Sequence, residues 1–435
     1  MHRFRFVLVL VAFVFTACGS VRAADDTKKP AAKQPKFELR DGDRVVFLGN
    51  TLIERAQKYG YWETMLTARY PNKNITFRNL GWSGDTVWAE SRGMFDPPAV
   101  GYKRMIEHVG RLKPTVIFVG YGNNEAFAGQ AGLPAFIKQY NTLLDDLTRV
   151  STEGVRFVIL SPHRHETLPS PLTDPTPANK RMEHYVRALQ DIARRRQLVF
   201  IDFYSTLIDS DPEVQQSKRF FSDPTTQNGI HLTGAGYRRA ARLLIHQLSE
   251  IKRGELTEWE LGLDFNGRIQ FSEGAIVRNV KVHKDGITFE VLDERFPAFD
   301  AMRTLQVIGL RHAPYSLKID GREVMQRIGH PPENAPNKGL WCDVWSVAQT
   351  VEAGPEFIQF EKLRQTIIAK NLLYFYSWRP QNITYLTGFR KHEQGQNAKE
   401  LAEFDKLIVA NEKEINKLKK PVAHTYEIIR VKKDK

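Results

Sequence analysis

Between residues 43 and 251, short apolar runs that end in small polar residues alternate with amphipathic stretches, and few folds accommodate that alternation. The runs at 45–48, 75–80, 115–119, 155–160 and 199–202 are nearly continuous in apolar residues. That is the pattern of strands buried on both faces, not of strands with one face in water. Between them, residues such as Phe136, Tyr140, Leu143, Leu144 and Leu147 recur at helical spacing. Helices are expected there, at 103–112, 182–196 and 236–251, and in the stretch through Tyr61, Trp62, Met65 and Leu66. Strands alternating with helices build a parallel sheet covered on both sides, which makes 41–253 a three-layer α/β domain. In such sheets ligands bind beyond the carboxyl ends of the strands. Here those ends carry Gly49-Asn50-Thr51, Gly81-Trp82-Ser83-Gly84 and Gly122-Asn123-Asn124-Glu125.

Past Arg253 the pattern changes. Short β-runs near 268–276, 287–292, 304–308 and 316–319 are punctuated by the hairpin signals Asp285-Gly286 and Asp320-Gly321. A small β-rich, sandwich-like unit is expected over 258–335. A helical C-terminal region, 340–435, follows and is expected to pack on the first domain. Phe357, Phe360, Leu363, Ile367 and Leu372 would line one helix, and Leu401, Phe404, Ile408, Ile415 and Leu418 another. Between them, 378–397 is rich in aromatic, amide and guanidinium side chains. Such residues suit sugar faces and hydroxyls, or equally a structured loop pinning the tail.

The first residues read as an export signal. Arg3 and Arg5 precede the apolar run 6–15, which is too short to span a bilayer, and Val21-Arg22-Ala23 offers a cleavage site. Residues 1–23 are expected to be a signal peptide and 24–40 a flexible leader, with no transmembrane span after cleavage. A competing reading takes 15–18 as a lipoprotein box that anchors the protein through Cys18. Cleavage at Ala23 would leave Cys342 as the one thiol, so no intrachain disulfide is expected. Losing Arg3, Arg5 and Arg22 takes the net charge from +13 to +10. The cations are interleaved with acids and no nucleic-acid motif is present, so no nucleic-acid partner is expected.

The strand-end clusters, together with Asn228-Gly229-Ile230-His231-Leu232 before the last helix of the domain, resemble in order and spacing the blocks of the SGNH hydrolase (GDSL esterase/lipase) family. The resemblance covers about 43–251. It implies a flavodoxin-like α/β domain that hydrolyses esters with no metal and no cofactor. Ester hydrolysis needs a hydroxyl nucleophile, a base and donors for the oxyanion. The resemblance puts those roles on Thr51, on His231, and on Gly81 and Asn124. Asn50, Trp82, Ser83 and Glu125 are expected to touch substrate. The chain as a whole resembles exported members from planctomycete-like bacteria. The substrate implied is a small-molecule or polysaccharide ester.

Three positions depart from the family pattern. Threonine stands where the serine belongs, Asn50 replaces the neighbouring aspartate, and Asn228 replaces the aspartate three residues before the histidine. The methyl of threonine stiffens χ1 and crowds the path of attack. Asn228 is expected to keep a catalytic role as the group that holds the His231 imidazole in place, but an asparagine cannot neutralise an imidazolium; in serine proteases that exchange costs about 10⁴ in rate. Thr51 is therefore either a nucleophile or a helix N-cap. Asp202 or Asp223 is a substitute acid, a backbone carbonyl a substitute orienting group, and Ser83 a substitute nucleophile. His163, Arg164, His165 and Glu166, after the fourth strand, are either a metal or carboxylate site or a solvated loop. A catalytically impaired carbohydrate-binding protein on the same fold is the rival reading.

Overall fold

The computed structural model describes residues 35, 37–209, 223–249, 257–294, 296, 302–309, 313–328, 342–346, 354–379 and 397–431. The leader sequence and most of the aromatic segment 378–397 lie outside them. Five parallel strands form the first sheet: β1 (Arg44–Gly49), β2 (Thr76–Gly81), β3 (Val116–Gly120), β4 (Arg156–Leu160) and β5 (Val199–Ile201). Their order is β2-β1-β3-β4-β5. Alternate side chains enter opposite cores, as a strand's period of two requires. Val45, Phe47, Val116, Phe118 and Val158 join one core, and Val46, Leu48, Ile117, Val119 and Ile159 the other.

Helices α1 (Thr51–Tyr59), α2 (Tyr61–Arg69) and α6 (Gly234–Ser249) cover the first face. Helices α3 (Pro98–Leu112), α4 (Gly129–Val150) and α5 (Thr176–Arg196) cover the second. Gly60, in the left-handed region at φ 70°, breaks the chain between α1 and α2.

Among the described residues, nine strands build a β-sandwich. One sheet runs β13 (Cys342–Ser346), β10 (Met302–Ile308), β6 (Thr257–Asp264), β7 (Ile269–Glu273). The other runs β12 (Arg322–Ile328), β11 (Pro314–Ile319), β14 (His424–Arg430), β9 (Gly286–Asp293), β8 (Ala275–His283). Leu261, Leu305, Phe289, Leu317 and Ile428 fill the space between the sheets. The β-unit therefore does not stop at 335. Strands β13 and β14 come from the stretch expected to be helical, and β14 lies inside its sheet, between β11 and β9.

The tail helices α7 (Pro355–Trp378) and α8 (Asn397–Leu418) pack on the first domain. Phe360, Leu363 and Ile367 of α7 enter its core, whereas Leu372 is exposed, because the buried stripe continues through Lys370, Asn371 and Tyr374. Lys370 Nζ donates to Glu63 Oε1 at 2.5 Å and Asn371 Nδ2 to Glu63 Oε2 at 3.0 Å, so α7 meets α2 through a buried, fully bonded carboxylate. No described helix is long and apolar enough to cross a membrane.

Candidate active site

Strands β1, β2 and β3 end on glycines that stand in register, Gly49 opposite both Gly81 and Gly120. Their loops therefore leave the sheet side by side, and three segments distant in sequence meet above one edge. At the first of these, Asn50 caps α1, its Oδ1 accepting the Leu52 amide at 3.1 Å. That assigns the capping role to Asn50 and leaves Thr51 at the first helical position. There the backbone N–H has no partner within the helix. Thr51 Oγ instead accepts the Gly84 amide at 3.0 Å.

The oxyanion role expected of Gly81 is not supported by its surroundings. Its amide donates to Asn79 Oδ1 at 2.8 Å. A Cβ on Gly81 would lie 2.2 Å from the backbone nitrogen of Glu54, so this glycine is needed for the close passage of β2 against α1. The amide at the nucleophile position belongs to Gly84, held at φ 77° in the turn three residues on.

That turn is fixed from beneath. The Trp82 amide donates to Gly49 O at 2.9 Å. The buried Arg92 guanidinium donates to Asp85 Oδ2 at 2.6 Å and Leu80 O at 2.7 Å. Tyr121 Oη donates to the same Asp85 oxygen. Asn124 Nδ2 donates to the Asp85 carbonyl at 2.9 Å, which ties the third strand-end loop to the second. The Glu125 carboxylate accepts the Val87 and Gly122 amides, each at 2.8 Å. Burial pushes its carboxyl up to about 7.

Three residues expected to touch substrate are thus otherwise engaged. Glu125 is buried under the loops. Trp82 is only 8 % exposed, with the Arg92 and Arg379 guanidiniums near its ring. Ser83 donates its amide and its Oγ to Glu54, at 2.7 and 2.9 Å, and is not among the residues that line the cavity with His231.

His231 sits in a loop closed by a bridge between Thr226 and Leu232. Asn228 Oδ1 accepts the Ile230 and His231 amides, at 3.2 and 2.8 Å. It therefore shapes the loop backbone and does not hold the imidazole ring, contrary to the role carried over to it. Glu166 braces the same loop: its carboxylate accepts the Thr226 amide at 3.0 Å and its amide donates to Gly229 O at 2.8 Å. Among the described residues no carboxylate hydrogen-bonds the His231 ring. Asp202 accepts the Ser205 amide at 2.9 Å, and the carbonyl of Asp223 accepts from Arg239. Burial, with the Arg55 guanidinium nearby, lowers the His231 imidazole below its usual value. At neutral pH the ring is uncharged, the form a general base needs.

Thr51 and His231 line one cavity of about 170 Å³, together with Asn50, Asn123, Asn124 and Arg55. Phe127 and Ile230 at its edge are 69 % and 39 % exposed. His163 and His165 also line it. Burial lowers His163 to about 4, and burial with nearby His231 lowers His165, which contacts Asn123 Oδ1 at 3.1 Å. Among the described residues no three His, Cys, Asp or Glu side chains are placed to hold a metal. Gly84, Arg55 and Phe127 were not singled out from the sequence as site residues, whereas His165 was, with His163, as a metal or carboxylate site or a solvated loop. Of those three, only Gly84 had a readable signal, as the second glycine of Gly81-Trp82-Ser83-Gly84, where a tight turn needs positive φ.

The profile of the GDSL-like lipase/acylhydrolase family matches residues 46–239. Among solved structures, a gut microbial diltiazem-metabolizing enzyme is similar over 92 % of this chain and 100 % of its own, at 17 % identity and a TM-score of 0.68. That similarity takes in the sandwich and the tail as well as the α/β domain. A GDSL-like lipase from Bacteroides thetaiotaomicron is similar over 48 % of this chain and 88 % of its own, at 16 % identity and a TM-score of 0.32. No curated protein sequence matches the chain. With their five-stranded parallel sheet and strand-end loops, residues 46–239 form a GDSL-like lipase/acylhydrolase (SGNH) domain.

Proposed function

We propose that this protein is an exported esterase that removes an acyl group from a carbohydrate through a covalent acyl-Thr51 intermediate. The observation that carries the reading is the shared cavity: Thr51 and His231 line it, and the Gly84 amide meets Thr51 Oγ at 3.0 Å. Thr51 Oγ attacks the ester carbonyl and its proton passes to His231 Nε2. The tetrahedral oxyanion is taken by the Gly84 and Thr51 amides and by the second N–H of the Asn124 side chain, whose first is bonded to Asp85 O. His231 returns the proton to the departing sugar oxygen. It then deprotonates a water that cleaves the acyl-threonine, releasing the acid and restoring the threonine hydroxyl.

Amide and guanidinium donors from Asn50, Asn123 and Arg55 beside an exposed phenyl face at Phe127 support a sugar as the alcohol half. The basic start and short apolar run of the leader support export. With Asn228 bonded to backbone and no carboxylate among the described residues on the His231 ring, turnover is expected to be slow. The same observation favours the rival, a carbohydrate-binding protein without turnover.

The test measures hydrolysis of p-nitrophenyl acetate, acetylated polysaccharides and diltiazem by the wild type, Thr51→Ala and His231→Ala. Losses of about 10³-fold or more in both variants are expected for a nucleophile and its base. Equal background rates in all three proteins would end the esterase reading. Glycan binding that survives both substitutions would then establish the rival.

A further inference from the structure

The loop that carries Gly84 is held from above by the tail. Arg379, directly after α7, donates to Glu54 Oε2 at 2.6 Å. Glu54 lies on α1, three residues past the proposed nucleophile. Its two carboxylate oxygens also accept the Ser83 amide and hydroxyl. The Arg379 guanidinium lies 3.7 Å from the centroid of the Trp82 ring, and the Trp378 ring lies 5.8 Å from Trp82. Trp82, Ser83 and Gly84 are consecutive. One arginine thus fixes the ring of the first and, through Glu54, the backbone of the second, next to the amide that meets Thr51 Oγ. A planar guanidinium does both at once; an ammonium keeps the ion pair and loses the flat stacking face.

We propose that Arg379 is a positioning residue, by which the C-terminal region sets the distance between the Gly84 amide and Thr51. The proposal rests on the esterase reading for its kinetic consequence but not for its structural one. In the full-length protein, amide hydrogen exchange over 80–87 is compared in the wild type, Arg379→Ala, Arg379→Lys and Arg78→Ala. The last variant breaks another tail-to-domain ion pair, Arg78–Glu412, which joins β2 and α8 and makes no contact with Glu54.

Arg379→Ala is expected to speed exchange over 80–87 by about tenfold or more. It is also expected to lower kcat on p-nitrophenyl acetate by about 10- to 100-fold, with KM and the thermal midpoint little changed. Lys is expected to fall between, and Arg78→Ala to match the wild type. Unchanged exchange in Arg379→Ala overturns the proposal. So does equal loosening in Arg78→Ala, which would assign the effect to tail docking in general. Were the wild type inactive on every ester, the exchange comparison alone would decide, and only the esterase reading would fall.

Discussion

Two buried arginines serve different ends in this molecule. Arg92 lies beneath the candidate active site with one carboxylate, Asp85, and the Leu80 carbonyl, at the end of β2 and in the loop that leaves it. Arg303 lies in the sandwich between two carboxylates, Asp293 at 2.7 Å and Glu356 at 3.0 Å. Glu356 belongs to the first turn of α7 and also accepts the Tyr426 hydroxyl, from β14. Burial pushes the Asp293 carboxyl up, which fits two acids sharing one cation. The first cluster organises a single loop whose shape decides where an amide points. The second joins three distant parts of the chain. A buried ion pair is weak support for stability as such, since desolvation offsets its attraction. What differs is the property each cluster controls: geometry at the site in one case, attachment of the sandwich to the tail in the other.

The comparison can be broken by substitution. The largest effect is expected from Arg92→Leu, which leaves Asp85, 0 % exposed, without its cation. A loss of about 3–5 kcal/mol in denaturant unfolding is expected, with kcat on p-nitrophenyl acetate down by about 100-fold. Retained activity in the folded variant would remove the distinction drawn for this cluster.

Glu356→Gln comes next. One acceptor for Arg303 and Tyr426 loses its charge, and a loss of about 1–3 kcal/mol is expected. Activity per folded molecule should stay that of the wild type; a fall in kcat would show that the sandwich feeds the site.

The smallest effect is a pH shift. His231 must be uncharged to accept a proton, so kcat/KM should fall as pH drops through its lowered value, beneath about 6.5. Arg55→Ala removes a positive charge that disfavours the imidazolium, so the acid limb should move to higher pH, by less than about one unit. Glu356→Gln should leave that limb in place.

How much of this was legible in the sequence follows from the range of the contacts involved. The five strands and their helices could be read because their apolar periods are local. The meeting of Thr51, Asn124 and His231 in one cavity followed from the parallel sheet, since every loop in question leaves the same edge or flanks it. Which glycine meets Thr51 was less accessible. Gly81 ends the strand and Gly84 turns the loop, and only the paths of their amides, to Asn79 and to Thr51, separate them. Asn228 keeps a side-chain oxygen where an aspartate would have one, but spends it on two backbone amides. Strand β14 did carry an alternating signal, with His424, Tyr426 and Ile428 buried, yet its seven residues follow a long helical pattern that set the expectation for the whole tail. The contact of Arg379 with Glu54 spans more than three hundred residues, and no local pattern announces it.

The place of β14 inside its sheet bears on how the chain reaches this form. Until residues near 430 have left the ribosome, and the export machinery if the protein is secreted, β9 and β11 have no neighbour on their facing sides. Those two bare edges are open to pairing with other chains throughout synthesis. The strands of the α/β domain are all contributed before residue 202, so its sheet can pair long before, although its cores are completed only by the tail helices. The order of translation therefore separates early pairing of the parallel sheet from late completion of the sandwich. Shortening the chain by the last dozen residues would be felt first as aggregation during production, not as lost chemistry.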